Sequence, residues 1–422
     1  MLQSETVRKY DTYKDSGIEW IGEIPTSWQK VRLRFLCNIQ TGDKDTVNKI
    51  DDGVYPFYVR SPIVERINTY TFDGEAILTA GDGVGAGKVF HYVTGKFDYH
   101  QRVYNLHNFK MIYGKLLYHY LKENFYKEIE KSNAKSTVDS IRLPMLLDFP
   151  VVFPKNIEEQ QEIADYLDKK CGEIDRVVET EKSVIEKLKE YKQSIITEAA
   201  TKGLDKSVPL KDSGIEWIGK IPQHWDVLSL ARIANIVRGA SPRPAGDPMY
   251  FCGNFCPWIT VAEVTKDDSK YIFETEEYLT ELGVQHSKLI DENTFLLSNS
   301  GATLGVPKIT KIKGCINDGS LAFLDISCNM DYLYYVLKSR TNEFRKQMQG
   351  YGQPNLNTTI VKAFKICLPS TNEQIQIAEY LDKKCSEIDK AIANKEQVIE
   401  KFTEYKKSLI YECVTGKRKV VK

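Results

Sequence analysis

The nonapeptide KDSGIEWIG occupies Lys14 to Gly22 and recurs unchanged at Lys211 to Gly219, 197 positions further on. Nine identical residues mark an internal duplication, since no catalytic site needs such a string twice. The match continues through IPTSWQKVRLRFLCNIQTG (Ile24 to Gly42) against IPQHWDVLSLARIANIVRG (Ile221 to Gly239), with Trp28, Asn38 and Gly42 answering Trp225, Asn235 and Gly239. Beyond that point Pro56 faces Pro257, Gly83 and Gly87 face Gly301 and Gly305, and Tyr166 faces Tyr380. The spacing widens along the way, which puts extra loop residues in the second copy. Two copies of one unit, a globular part followed by a tail, account for nearly the whole chain.

A chain of 422 residues has room for two or three domains with cores of their own. Its 58 basic and 58 acidic residues cancel, so overall charge gives no support to a nucleic-acid partner and any such role must rest on local patches. Nine cysteines lack a disulfide-like spacing, and the opening MLQSETVRKYDTYKD has no apolar signal core. No apolar run approaches the roughly 20 residues that cross a bilayer. The expectation is a reduced, cytoplasmic protein with no membrane role.

The globular parts read as α/β (α+β). Short β-rich runs such as VYPFYV, AILTA, KVFHYV, TFLLS and LAFLDI are punctuated by Gly, Asn and Asp, and one amphipathic helix per copy follows (from Met111 and from Met330). The tails carry the clearest pattern. Ile163, Leu167, Lys170, Ile174, Val177, Glu181, Val184, Leu188, Tyr191 and Ile195 step by threes and fours, and Leu381, Lys384, Ile388, Ala391, Lys395, Val398, Phe402, Tyr405 and Leu409 repeat the register. A helix of some forty residues, roughly 60 Å long at about 1.5 Å per residue, outruns a compact domain, so each tail's natural partner is the other tail. Pro154 and Pro369 precede the tails, Asn156 and Thr371 or Asn372 are available as caps, and Gly203 and Gly416 lie near the ends. Antiparallel pairing gives a pseudo-twofold coiled coil with a head at either end. The expected organisation is head 1 over 1–155, helix over 156–203, head 2 over 204–370, helix over 371–416 and a basic tail over 417–422.

Two motifs invite a sharper chemistry than they carry. AGDGVGAGKV (Ala80 to Val89) lacks the Ser or Thr of a phosphate loop and is followed by a strand-like run instead of a helix, so a glycine turn between strands accounts for it. CGNFC (Cys252 to Cys256) has metal-like spacing with no second pair, and the six histidines form no ligand set, so no metal is expected.

GIEWIGEIPTSW, GIEWIGKIPQHW, the tails EEQQEIADYLDKKCGEIDRVV and NEQIQIAEYLDKKCSEIDKAI, and SNSGATLG together resemble the specificity subunits of type I restriction-modification systems, over essentially the full chain. The resemblance implies that each globular unit is a target-recognition domain reading one half of a split double-stranded DNA sequence. It implies that the helices space the readers and dock modification (methyltransferase) subunits, with restriction (motor-nuclease) subunits completing the complex. S-adenosylmethionine and ATP then belong to those partners, and this chain carries no cofactor and no catalytic residue. It has no Asn/Asp-Pro-Pro-Tyr-like methylase motif and no nuclease carboxylate–lysine cluster of its own.

Polar loops around Gly and Pro are the candidate readers. QTGDKDT offers Gln40, Thr41 and Lys44, and its counterpart VRGASPRPAG offers Arg238, Ser241 and Arg243. The glycine turns add Lys88, Ser300 and Thr303, and a third pair of loops adds Lys135, Ser136, Gln353 and Asn355. Arg suits a guanine edge or a phosphate, and Gln and Asn suit adenine. Residues identical in both copies cannot read two different sequences, so Trp20 and Trp217, with Lys169, Lys170, Lys383 and Lys384, are expected to serve the frame or a docking partner. The rival is a pseudo-dimeric protein-binding scaffold or regulator without DNA recognition, which the neutral charge favours.

Overall fold

AILTA at Ala76–Ala80 and FLLS at Phe295–Ser298 are buried at every position, because each strand is the middle layer of a head. Ile77 and Leu106 face one way into a core with Leu116, Leu117 and Tyr120 of the helix Gly114–Ser132. Ala76, Leu78 and Val103 face the other way onto Phe97 and Tyr99. In the second head Leu297, Leu321 and Phe323 face Tyr332, Leu333 and Leu337 of the helix Met330–Lys338, while Leu296 and Ala322 face Ile259 and Ile316. This computed structural model describes residues 8–83, 85–132, 140–216, 218–301, 303–346 and 356–420, with side chains of 128–132 left aside.

The repeat is visible in the pairing. Asn38–Thr41, Val103–His107, Ala76–Ala80 and Phe90–Val93 form one sheet in that order, and Asn235–Arg238, Ser320–Leu324, Phe295–Ser298, Pro307–Thr310 and Tyr271–Ile272 form its counterpart. Each head adds a second sheet containing one parallel pair, Tyr55–Tyr58 with Lys96–Tyr99 and Phe251–Ile259 with Gly314–Ile316. The last strand of each head, Pro150–Pro154 or Lys365–Leu368, returns to pair with the strand at Trp28–Arg32 or Asp226–Ser229. The glycine-rich segments of both copies join antiparallel strands.

Each last strand leads into a long helix, Ile157–Lys202 and Thr371–Val414. Asn156 caps the first, its Oδ1 accepting the Glu158 N–H at 2.7 Å. The second is capped by Ser370, not by Thr371 or Asn372: Glu373 accepts from the Ser370 N–H at 3.1 Å and from its hydroxyl at 2.8 Å. The first turn of each helix also carries a buried glutamine acting as an adaptor. Gln160 accepts the Tyr113 N–H at 2.7 Å and donates to the Pro154 carbonyl at 2.8 Å, while Gln374 accepts the Asn329 N–H at 2.7 Å and donates to the Pro369 carbonyl at 2.8 Å.

The molecule comprises two compact units, Met1–Lys182 with Lys395–Lys422, and Ser183–Asn394, so each unit holds one head and a stretch of both helices. Within the first, Asp175 meets Lys406 at 2.6 Å and Glu181 meets Lys395 at 2.6 Å. One number rises as the other falls, so the helices run antiparallel. Within the second unit Lys192 meets Asp389 at 2.7 Å, and Ile196, Ala199 and Ala200 share a core with Ile377, Ala378, Leu381 and Cys385.

The seam corrects the sequence register at alternate positions. Cys171, Ile185 and Lys192 are buried, whereas Val177 is 37% and Tyr191 58% exposed, and Lys170 turns to Glu173 of its own helix at 3.5 Å. Lys384 likewise turns to Glu387 at 2.9 Å while its neighbour Cys385 is buried. Among the described residues, Lys192, Lys395 and Lys406 are the lysines that meet a carboxylate on the facing helix, and that partner is what makes each tolerable in the seam.

The duplicated tryptophans close each unit. Trp28 and Trp225 are fully buried, and their indole N–H groups donate to Glu159 and Glu373 at 3.2 and 3.3 Å. Their rings lie against the glycines that end the other helix. Gly416 (φ +74°) leaves no room for a Cβ beside Pro25 and Trp28, and a Cβ on Gly203 (φ +71°) would fall 3.1 Å from Trp225. Trp28→Ala and Trp225→Ala are each expected to cost about 3–5 kcal/mol in denaturant unfolding, through a buried cavity and the loss of one hydrogen bond to the glutamate.

Each head is also pinned by one repeated helix carboxylate. Asp168 accepts from His119 at 2.8 Å and Lys115 at 2.9 Å, and its counterpart Asp382 accepts from Tyr335 at 2.6 Å and Lys270 at 2.8 Å. The hydrogen bond from His119, helped by Lys115, holds the Asp168 carboxyl down at about 2 against the opposing effect of burial. A carboxyl depressed in the folded state stabilises above its ordinary pKa and loses that contribution as pH falls through its folded value. Unfolding midpoints measured from about pH 4 down to about 2 should therefore fall, and Asp168→Asn should flatten that dependence.

Candidate nucleic-acid interface

Antiparallel register brings three loops of the first head to one edge of its sheet. Thr41 is opposite Tyr104 and Ala80 opposite Val103, so the segment after Thr41, the glycine turn after Ala80 and the turn His100 to Arg102 emerge together. They are stitched by backbone bonds: Gln101 N–H to the Lys44 carbonyl at 2.8 Å, and Gly81 N–H to the Arg102 carbonyl at 2.7 Å. A side chain on Gly42 would overlap the Tyr99 and His100 carbonyl oxygens, which is why this position lacks one. In the second head Arg238 is opposite Leu321 and Ser298 opposite Ser320, gathering the loop after Arg238, the turn Asn317 to Gly319 and the segment after Ser298. Gly239 meets the Asn317 carbonyl as Gly42 meets those of its own head.

Each edge carries a carboxylate holding basic groups. In the first head Asp82 binds Arg60 at 2.9 Å and Arg102 at 3.8 Å. Beside them Asp45 accepts from Gln101 at 2.9 Å and lies 3.8 Å from His100 Nε2, whose Nδ1 accepts the Arg102 N–H at 2.9 Å. Burial, with Arg60 nearby, keeps the His100 pKa below its ordinary value, consistent with a neutral ring whose Nδ1 is an acceptor. In the second head Asp318 accepts from Ser241 at 2.5 Å and meets Arg243 at 3.5 Å, while its carbonyl accepts from Arg238 Nε at 2.8 Å. A cavity of about 620 Å³, lined by Ser241, Arg243, Phe251, Trp258, Tyr278 and Asp318, opens beside them. These forks are oriented but not sealed: Arg102 is 66% and Arg243 70% exposed.

The structure thus brings Gln40, Thr41 and Lys44 to one edge and Arg238, Ser241, Arg243, Ser300 and Thr303 to the other. Gln40 is exposed and donates to Tyr99 Oη at 2.7 Å. Lys88, on the far limb of its glycine turn, lies over the Tyr126 ring at 4.5 Å. Lys135, Ser136, Gln353, Asn355 and Trp217 lie outside the described residues. Their flanks are informative, because Ile141 N–H donates to the Gly81 carbonyl at 2.7 Å and Leu356 N–H to the Asn299 carbonyl at 2.8 Å. Both third loops therefore end at the glycine turn of their own head. Arg60, Asp82, His100, Gln101, Arg102 and Asp318 escaped the sequence reading. The repeat could have found the turn residues, since His100 to Arg102 and Asn317 to Gly319 occupy matching places shortly after the aligned glycines.

The proposed docking residues sit elsewhere. Trp20 is half-buried against Tyr120 and Phe149, its carbonyl accepting from Tyr411 Oη at 2.8 Å. Lys169 and Lys383 are exposed on the long helices, and Lys169 lines a groove of about 610 Å³ with Glu158, Glu162, Asp165, Tyr166 and Val420. No helix of the described residues is long and apolar enough to cross a membrane.

A family model described as the type I restriction modification DNA specificity domain matches twice, over residues 25–190 and 222–401. The chain is 26% identical to the type I restriction enzyme MjaVIII specificity subunit of Methanocaldococcus jannaschii, over 94% of each chain. It is 28% identical to the EcoDI specificity subunit of Escherichia coli, over 51% of this chain and half of that relative. Its fold is similar to that of a solved chain from work on complex assembly and conformational transition of the type I R-M system (TM-score 0.72, 15% identity, 93% of this chain and 99% of that one). The HsdS subunit of Thermoanaerobacter tengcongensis is similar at a TM-score of 0.50, with 17% identity over 93% and 98% of the two chains.

The glycine contacts make a local prediction. Gly42→Ala should push the Lys44 loop off the His100 to Arg102 turn at a cost of about 1–3 kcal/mol, and hydrogen exchange at the Gln101 amide should speed up while the Ala240 amide of the other head is unaffected.

Proposed function

Because the chain belongs to the type I restriction-modification DNA specificity family, we propose that it is the sequence-reading subunit of such a system, each head reading one half of a bipartite DNA target. The observation that carries this reading is a shared frame bearing different side chains. Gly42 and Gly239 make the same close approach, yet the loops they anchor present Lys44, Gln101 and Arg102 in one head and Arg238, Ser241 and Arg243 in the other. Two different half-sites require that combination. Oriented guanidinium forks suit guanine edges or phosphates, and a carboxylate such as Asp318 can also accept from a cytosine amine. The local arginines answer the objection that the chain is neutral overall.

On this reading residues 1–155 and 204–370 are the target-recognition domains. Gln40, Thr41, Lys44, Lys88, Lys135 and Ser136 contact one half-site, and Arg238, Ser241, Arg243, Ser300, Thr303, Gln353 and Asn355 the other. The helical segments 156–203 and 371–416 set the gap between half-sites. They also dock the modification subunits, with Trp20, Trp217, Lys169, Lys170, Lys383 and Lys384 as contact residues. Methylation with S-adenosylmethionine and cleavage driven by ATP belong to the partner subunits, in the cytoplasm, and the chain alone is non-catalytic.

Sequencing of methylated adenines in a host with and without the gene tests the assignment. Arg238→Ala with Arg243→Ala should weaken or relax recognition at one half-site only, by about 1–3 kcal/mol per lost bidentate contact. Unchanged methylation at every site removes those loops as readers. Methylation or cutting by the purified chain alone would overturn the non-catalytic role.

A further inference from the structure

The sequences of the two long helices align at a constant offset of 214, which matches Leu167 with Leu381, Cys171 with Cys385 and Ile174 with Ile388. The same offset maps Asp175 onto Asp389 and Lys192 onto Lys406. The two ion pairs Asp175–Lys406 and Lys192–Asp389, at 2.6 and 2.7 Å, are therefore two copies of one interaction. Glu181 and Lys395 differ from all of these. They are also related by 214, so their 2.6 Å contact joins a position to its own counterpart.

If the first helix met a second copy of itself in the same register, Asp175 would still meet Lys192, and Val178 and Ile185 would still be apolar positions of the seam. The helix-ending glycine would still find a tryptophan, since Gly203 stands where Gly416 does and Trp28 where Trp225 does. Only the self-related position changes sign: glutamate would face glutamate. Two copies of the second helix would set lysine against lysine. The Glu181 and Lys395 side chains are only 22% and 32% exposed, so water cannot fully relieve a like-charge contact there.

We propose that Glu181 and Lys395 form a pairing selector, which makes the first repeat's helix take the second repeat's helix as its partner and reject a second copy of itself. Two unlike heads are thereby kept in one particle. The inference rests on the helical pairing alone and stands whether or not the heads read DNA.

The test uses the full chain with a protease site inserted in the exposed segment 204–209, cut in the native state, unfolded in denaturant and refolded. Native mass spectrometry then counts which halves associate. The wild-type chain should return almost only first-with-second pairs, whereas Glu181→Gln with Lys395→Gln should give a binomial mixture that includes like pairs. A binomial mixture from the wild type, or equal exclusivity in the double-glutamine variant, overturns the proposal. In the uncut chain Glu181→Lys and Lys395→Glu should each lower the urea midpoint, and the charge swap carrying both should recover it. Losses that simply add would count against a selector.

Discussion

A buried indole with three neighbours organises each half of this protein. Trp28 begins the strand that pairs with the head's last strand, donates its N–H to the glutamate in the first turn of the helix that follows, and lies against the glycine that ends the opposite helix. Trp225 stands immediately before its strand, Asp226–Ser229, and makes the same contacts with the helix glutamate and the helix-ending glycine. A large aromatic with one polar atom suits this junction, since its area fills the gap between elements while its single donor reports the position of one carboxylate. The helix that ends at each indole arrives from the other repeat. Each compact unit is therefore completed by residues from the helix of the other repeat: Leu409, Ile410, Cys413 and Val414 in the first, Ile196, Ala199 and Ala200 in the second.

With that frame fixed, the reading edges are free to differ. Gly42 and Gly239 press their loops against the facing carbonyls in both heads, so the approach of the loops is a property of the scaffold. The groups on the loops are not: one edge gathers Arg60 and Arg102 on Asp82, the other Arg238 and Arg243 around Asp318. The two carboxylates occupy different places in the repeat, one on the glycine turn and the other on the turn between strands. The same physical need, to orient long cationic side chains before a partner arrives, is met separately in each head.

The repeat made much of this legible. Strands, the amphipathic helices, the glycine turns and both long helices follow from local pattern, and Trp28 and Trp225 stood out by recurrence. Asp82 and Arg60 did not, because a surface Arg–Asp contact leaves no local periodicity and joins residues 22 positions apart through the register of two sheets. The cap of the second long helix was missed for a smaller reason. STNE offers three capping residues in succession, and only the spacing of Ser370 to Glu373 closes the reciprocal box.

By itself the sequence determined that there are two copies of one unit, that each ends in a helix longer than its head can cover, and that the identical parts are frame while the different parts are available for recognition. Those conclusions need only identity, periodicity and length. Tertiary structure alone decided which face of each helix is the seam and which loop residues meet. Val177 and Val178, or Val184 and Ile185, are interchangeable to a periodicity argument, and a lysine at position 192 argues against burial until Asp389 of the facing helix supplies its counter-charge. The energy of a buried charge belongs to the pair and not to either residue, so it cannot be read from one strand of the pattern.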